Sequence, residues 1–131
     1  MGIKMLKWLE ALFVSVFAIF APIEHLLLST GAMIMIDLVT GIMAAKKQGI
    51  PITSSGIRRT LTKMFVYESA LCLAYLAEHY MSNVLPFVKM ASAMITLVEL
   101  TSVYENLNTI SGTDLLKGLI SKLGSENSSK K

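Results

Sequence analysis

The chain has 131 residues, enough for one hydrophobic core and too few for two. Hydrophobic residues make up 53% and charged ones 16%, with a mean hydropathy of +0.60, a balance that points to a membrane and away from a water-soluble domain. The net charge of +3 comes from basic residues that flank apolar runs without forming one stripe, which argues against nucleic acid, and the single cysteine, Cys72, excludes an intrachain disulfide and a thiolate metal site.

Taken in order, MGIKMLKW followed by ALFVSVFAIFA has the basic start and apolar centre of a secretory leader. Ile19 and Ala21 make a weak cleavage site, and Pro22 leads directly into another apolar run, so the segment reads as a retained helix over 5–23, with a cleaved leader as the alternative. Leu6 stands where a myristoylation signal needs Ser or Thr. Further helices are expected over 27–45, 64–82 and 87–107, each about 20 residues long and so close to the ~30 Å of a bilayer core. Nothing alternates with the period of two that strands require. The expected fold class is therefore all-α: an integral membrane helical bundle over residues 1–110 with four transmembrane helices, or three, followed by a short amphipathic helix.

Pro22 and Pro86 sit at the two outer turns, where a missing N–H costs least. The inner loop KKQGIPITSSGIRRTLTK has Gly49 and Pro51 as breakers and Thr53, Ser54 and Ser55 as candidate N-caps. After the last span, residues 111–124 place Leu115, Leu116, Leu119, Ile120 and Leu123 opposite Lys117 and Lys122, with Thr113 as cap candidate, a pattern suited to the inner membrane surface. Residues 125–131 form a basic, solvated tail whose lysines would be drawn to anionic lipid.

Charge asymmetry sets the orientation. With the N-terminus in the cytoplasm, every Lys and Arg except Lys89 falls on the cytoplasmic side, including a basic loop of Lys46, Lys47, Arg58, Arg59 and Lys63, and the C-terminus is cytoplasmic too. Trp8, Tyr67 and Tyr104 near inner ends, and Tyr80 and Phe87 near outer ends, fit an interfacial belt.

Within the spans lie acids. Asp37 and Glu99 fall about 12 Å from the inner ends of their helices at ~1.5 Å per residue, and Glu68 lies about one turn inside its own. An isolated acid at such depth costs about 2.5–3.5 kcal/mol, so none of these should face lipid. Each sits on a polar stripe at helical spacing: Thr30, Asp37 and Thr40; Glu68, Cys72 and His79; Thr96, Glu99, Ser102 and Asn106. Gly41 and Ala45 form a small-residue pair that admits a close neighbour. Two readings stay open for the stripes: hydrogen bonding between helices, with Lys63 and Arg59 as candidate partners of the acids, or contacts between protomers that later line water. The pairs Glu24–His25 and Glu78–His79 read as interfacial caps, with a pH sensor as the alternative. No nucleophile–base order, metal-ligand spacing or phosphate-cradling glycine loop is present, so no catalytic, cofactor-binding or metal residue is assigned and an enzyme is not expected.

The chain resembles a phage lysis or toxin-secretion holin of the clostridial toxin-export type. The resemblance is carried by Asp37-x-x-x-Gly41 with Ala44-Ala45-Lys46, then Ser54-Ser55-Gly-x-Arg58-Arg59-x-Leu61-x-Lys63, then Glu99-x-x-Ser102-x-x-Glu105-Asn106, over about 36–123. It implies a small multi-pass protein of the host bacterial cytoplasmic membrane that forms homo-oligomers and opens lesions for a cytoplasmic peptidoglycan hydrolase, an endolysin, or for a toxin. An antiholin partner also belongs to such systems. On this reading Asp37, Gly41, Glu68, Thr96, Glu99, Ser102, Glu105 and Asn106 form the intramembrane oligomer or pore face. A non-permeabilising antiholin or scaffold, and a small ion channel or transporter, are the competing classes.

Overall fold

The computed structural model describes residues 2–81 and 84–128. Helix α1 runs Gly2–Ile19, α2 Glu24–Lys47, α3 Ser54–Leu76, α4 Phe87–Ser111 and α5 Leu115–Ser128. No strand occurs among the described residues. Of the solvated tail expected over 125–131, residues 125–128 instead continue α5, and 129–131 lie outside the described residues, as does the side chain of Leu123 and hence its expected apolar role.

Local chemistry explains most boundaries. A 3-10 turn at Ala21–Ile23 carries Pro22 in its first positions and joins α1 to α2. Helix α2 stops after Lys47, where Gly49 adopts φ 71, and Pro51 keeps the next residues extended. Helix α4 ends at Gly112, whose φ of 74 lets its N–H reach the Asn108 carbonyl at 2.9 Å. Lys47 Nζ donates to the Ile110 carbonyl at 2.7 Å, satisfying another end group of α4.

Helix α3 corrects the expected 64–82. It begins at Ser54, so Arg58, Arg59 and Lys63 are not in a loop but in its first turns, and Lys63 lies well inside the helix. Arginine and lysine are good helix formers, and nothing between Ser54 and Lys63 breaks the backbone. At its far end α3 passes into a π turn, Ala77–Met81, in place of regular helix; Ser82 lies outside the described residues. There Glu78 Oε2 accepts the Val88 N–H at 2.7 Å and caps the first turn of α4. The amphipathic helix α5 starts at Leu115, later than expected. Its cap is Asp114, which accepts the Lys117 N–H at 3.3 Å, and not Thr113.

Helices α2, α3 and α4 form one bundle. Side-chain bonds fix its directions: Asp37 with Ser102, Thr40 with Asn106 and Lys47 with Ile110 make α2 and α4 parallel, while Lys63 with Asp37 and Glu78 with Val88 make α3 antiparallel to both. Ile34, Leu71 and Glu99, one from each helix, are fully buried at its centre. Helix α1 stands apart, touching mainly the adjoining turn, with Trp8 77% exposed.

The bundle is turned inside out relative to a soluble protein. Leu28, Phe65, Leu73, Met94 and Leu97 all face outward, while a carboxylate is buried at the centre. In water so extensive an apolar exterior would aggregate; in lipid it is the matching surface. Two helical stretches, Ala21–Lys47 and Phe87–Ser111, are long and apolar enough to cross a membrane.

Candidate functional site: a charged network inside the bundle

Asp37, Lys63 and Glu99 stand roughly 14–18 Å along their helices from Lys47, Ser54 and Ser111, at ~1.5 Å per residue. Those three ends lie together, so three separate helices deliver charge to one level. Lys63 Nζ donates to Asp37 Oδ2 at 2.6 Å and stands 2.9 Å from Glu99 Oε2. The first contact is an aligned hydrogen bond. The second has ion-pair distance without hydrogen-bond alignment, and both Glu99 oxygens lack a directed donor among the described residues. Glu99 is fully buried, with the Lys63 ammonium as its counter-charge.

Asp37 is the better satisfied acid. Its Oδ1 accepts from the Ser102 hydroxyl at 2.6 Å and from Asn106 Nδ2 at 3.2 Å, and Asn106 Nδ2 also donates to Thr40 Oγ1 at 3.2 Å. Gly41 faces this cluster: a Cβ there would stand 3.5 Å from Asn106 Nδ2, an ordinary contact, so only a larger side chain would intrude. Lys63 and Tyr67 share one face of α3 with buried Leu71, and Tyr67 lies beside Glu99 inside the bundle instead of in the expected interfacial belt.

Of the residues singled out from the sequence, Asp37, Gly41, Glu99, Ser102 and Asn106 come together here, joined by Lys63. Glu68 does not join them. It faces Gly31 further along α3, with Oε2 buried and without a donor among the described residues. Thr96 is half-buried on the α4 face one turn from Glu99, and Glu105 is exposed and apart from the network. Lys46, Arg58 and Arg59 are exposed, and Arg59, the other candidate partner of the acids, makes no ion pair among the described residues.

Sequence reasoning missed the capping role of Lys47 and the junction of α4 with α5. There Tyr104 Oη donates to Asp114 Oδ1 at 2.7 Å, and Asn108 Oδ1 accepts the Leu115 N–H at 3.1 Å. The Tyr104 hydroxyl, with help from the Lys117 N–H, holds the Asp114 carboxyl below its usual range. The spacing Asn-x5-Asp-Leu was the available signal, being that of a polar residue just before a helix end and another just before a helix start.

The arrangement gathers two carboxylates, one ammonium, a hydroxyl and an amide within an apolar exterior, one cation shared between two acids. Such a fold and interior define a helical membrane protein. The family model described as the bacteriophage holin family matches residues 14–125, which is most of the chain, and the chain belongs to that family. No curated protein and no solved structure matches it.

Proposed function

We propose that the chain is a holin that assembles in the host cytoplasmic membrane and opens lesions through which a cytoplasmic peptidoglycan hydrolase, or a toxin, passes. The observation that carries this reading is the Asp37–Lys63–Glu99 network, a polar interior enclosed by a lipid-compatible exterior. Within one bundle the single ammonium of Lys63 serves both carboxylates. Separated and facing neighbours, the same stripes would form a wettable wall.

On this proposal α1 to α4 all span, with both chain ends in the cytoplasm. Helix α3 carries too many charges to look like a span, but Lys63 is neutralised from within, and Arg58 and Arg59 lie at the inner boundary. Helix α1, 18 residues long, crosses as a peripheral helix with Trp8 and its lysines at the inner interface. Helix α5, whose Leu116, Leu119 and Ile120 are uncovered by the rest of the chain, lies on the inner surface.

The network acts as a lock. Breaking a buried ion pair costs on the order of 3–5 kcal/mol, and each ~1.4 kcal/mol changes a two-state population tenfold, so a lock of this size decides whether the bundle is closed or open. The test is bacterial optical density over time with this chain and a signal-less cytoplasmic peptidoglycan hydrolase expressed together, against hydrolase alone. Abrupt lysis after a delay is expected. Continued growth with the chain present in the membrane would overturn the reading in favour of an antiholin, scaffold or ion channel.

A further inference from the structure

A partly open cavity of about 410 Å³ lies between the last turns of α2, the 50–53 segment and the first turns of α3, beside the network but outside its bonds. That volume falls in the ~300–1,000 Å³ range of small-ligand sites. Apolar Ile42 of α2 and Ile57 of α3 line it, together with Arg59, Thr53 and Ser55, whose side chains carry donors. No side chain caps the first turn of α3, because Thr53 and Ser55 pair with each other at 2.7 Å. Asp37 reaches the floor, but Lys63, Ser102 and Asn106 already occupy its oxygens. The cavity thus combines a cation without an ion pair among the described residues, a helix start without a side-chain cap, and apolar lining residues.

We propose that this cavity binds the phosphate headgroup of one anionic phospholipid. The phosphate sits between Arg59 and the start of α3, and the upper acyl chain runs along Ile42 and Ile57. Three features select this occupant. Charge complementarity calls for an anion, since Arg59 is the lining residue with unbalanced charge. The uncapped N–H groups of α3 favour the same sign. The apolar wall suits a chain attached to that anion, whereas a free phosphate would leave it wet. The site differs from general attraction to a basic surface, because Arg58, adjacent in sequence, does not line it. The inference rests on the chain lying in a bilayer and not on its opening lesions.

The experiment is native mass spectrometry of the full chain, taken from detergent with equal phosphatidylglycerol and phosphatidylcholine, counting lipids retained per chain. Preferential retention of phosphatidylglycerol is expected, with Arg59→Gln weakening it at least about fivefold and Arg58→Gln less than about twofold. A second variant guards against a folding artefact. Gly56 lines the cavity and a Cβ there meets nothing within 4 Å, so Gly56→Phe fills the space with both arginines intact and also abolishes the preference. Equal losses for Arg58→Gln and Arg59→Gln, or retention unaffected by Gly56→Phe, would overturn the site. Displacement of phosphatidylglycerol by soluble glycerol phosphate would assign it to a free phosphoester instead. Failure of lysis with retention intact would remove the holin reading and leave this site standing.

Discussion

The ammonium of Lys63 on α3 lies 2.6 Å from the carboxylate of Asp37 on α2, deep within the bundle, and the same nitrogen stands 2.9 Å from Glu99 of α4. One cation therefore ties together the three helices, and its removal should be felt by all of them.

Lys63→Met leaves two carboxylates facing each other without a counter-charge. Their side chains are 16% and 0% exposed, so water screens them little, and the variant should lose about 3–5 kcal/mol against unfolding in detergent. The triple variant with Asp37→Asn and Glu99→Gln added should recover most of that loss, since removing a whole buried charge set is often close to neutral. Chemical denaturation followed by circular dichroism checks both.

The two acids should respond unequally. Asp37 accepts three directed hydrogen bonds, from Lys63, Ser102 and Asn106, so Asp37→Asn loosens the lock and should bring lysis earlier. Glu99 accepts no well-aligned one among the described residues, and its amide replacement keeps the volume while removing an expensive buried charge. Glu99→Gln should hold the bundle closed as long or longer. Onset times in cells expressing equal amounts of each variant decide; equal acceleration by both would contradict the asymmetry.

Gly41 should accept alanine but not leucine. A methyl at 3.5 Å from Asn106 Nδ2 is in ordinary contact, and alanine gains about 0.8–1 kcal/mol in helix propensity, so Gly41→Ala should match or exceed the parent. Gly41→Leu pushes Asn106 off Asp37 and Thr40 and should cost about 1–3 kcal/mol by overpacking. Melting temperatures of the purified variants check the order.

At the α4–α5 junction the Asp114 carboxyl titrates below its ordinary value of 3.8, because the ionised form accepts from Tyr104 and from the Lys117 N–H. A folded value below the unfolded one means stability present above the unfolded value and lost as pH falls through the folded one. Backbone amides of α5 should therefore exchange faster with deuterium as pH drops below about 3.8, after correction for intrinsic rates. Tyr104→Phe should flatten that dependence.

The sequence carried much of this, for identifiable reasons. Asp37, Glu99, Ser102 and Asn106 lie at helical spacing in apolar runs, and burial of such groups follows from the cost of exposing them to lipid. The cap candidates Thr53 to Ser55 marked the start of α3, yet the span was expected only from 64, because Arg58, Arg59 and Lys63 exclude themselves from a membrane segment judged alone. The charge that keeps Lys63 tolerable inside the bundle comes from two other helices, about 26 and 36 residues away in the chain, where no local pattern reports it. Glu105 misled for the opposite reason: it belongs to the same polar motif as Asn106, yet one residue turns it by about 100° to the exposed side. Nor did any sequence signal separate α1 from the bundle, since an apolar helix suits lipid and protein neighbours equally.

On the proposed function, the face carrying Glu99 is dry while the bundle is closed and wet when lesions open. Thr96 reports on it directly, lying on that face one turn away and taking no part in the network. With Cys72→Ala removing the native thiol, Thr96→Cys is probed by a membrane-impermeant, water-soluble maleimide in cells sampled before and after the onset of lysis. Protection before onset and labelling after it are expected, with earlier labelling when Asp37→Asn is added. A thiol that stays protected in lysing cells would contradict the proposal.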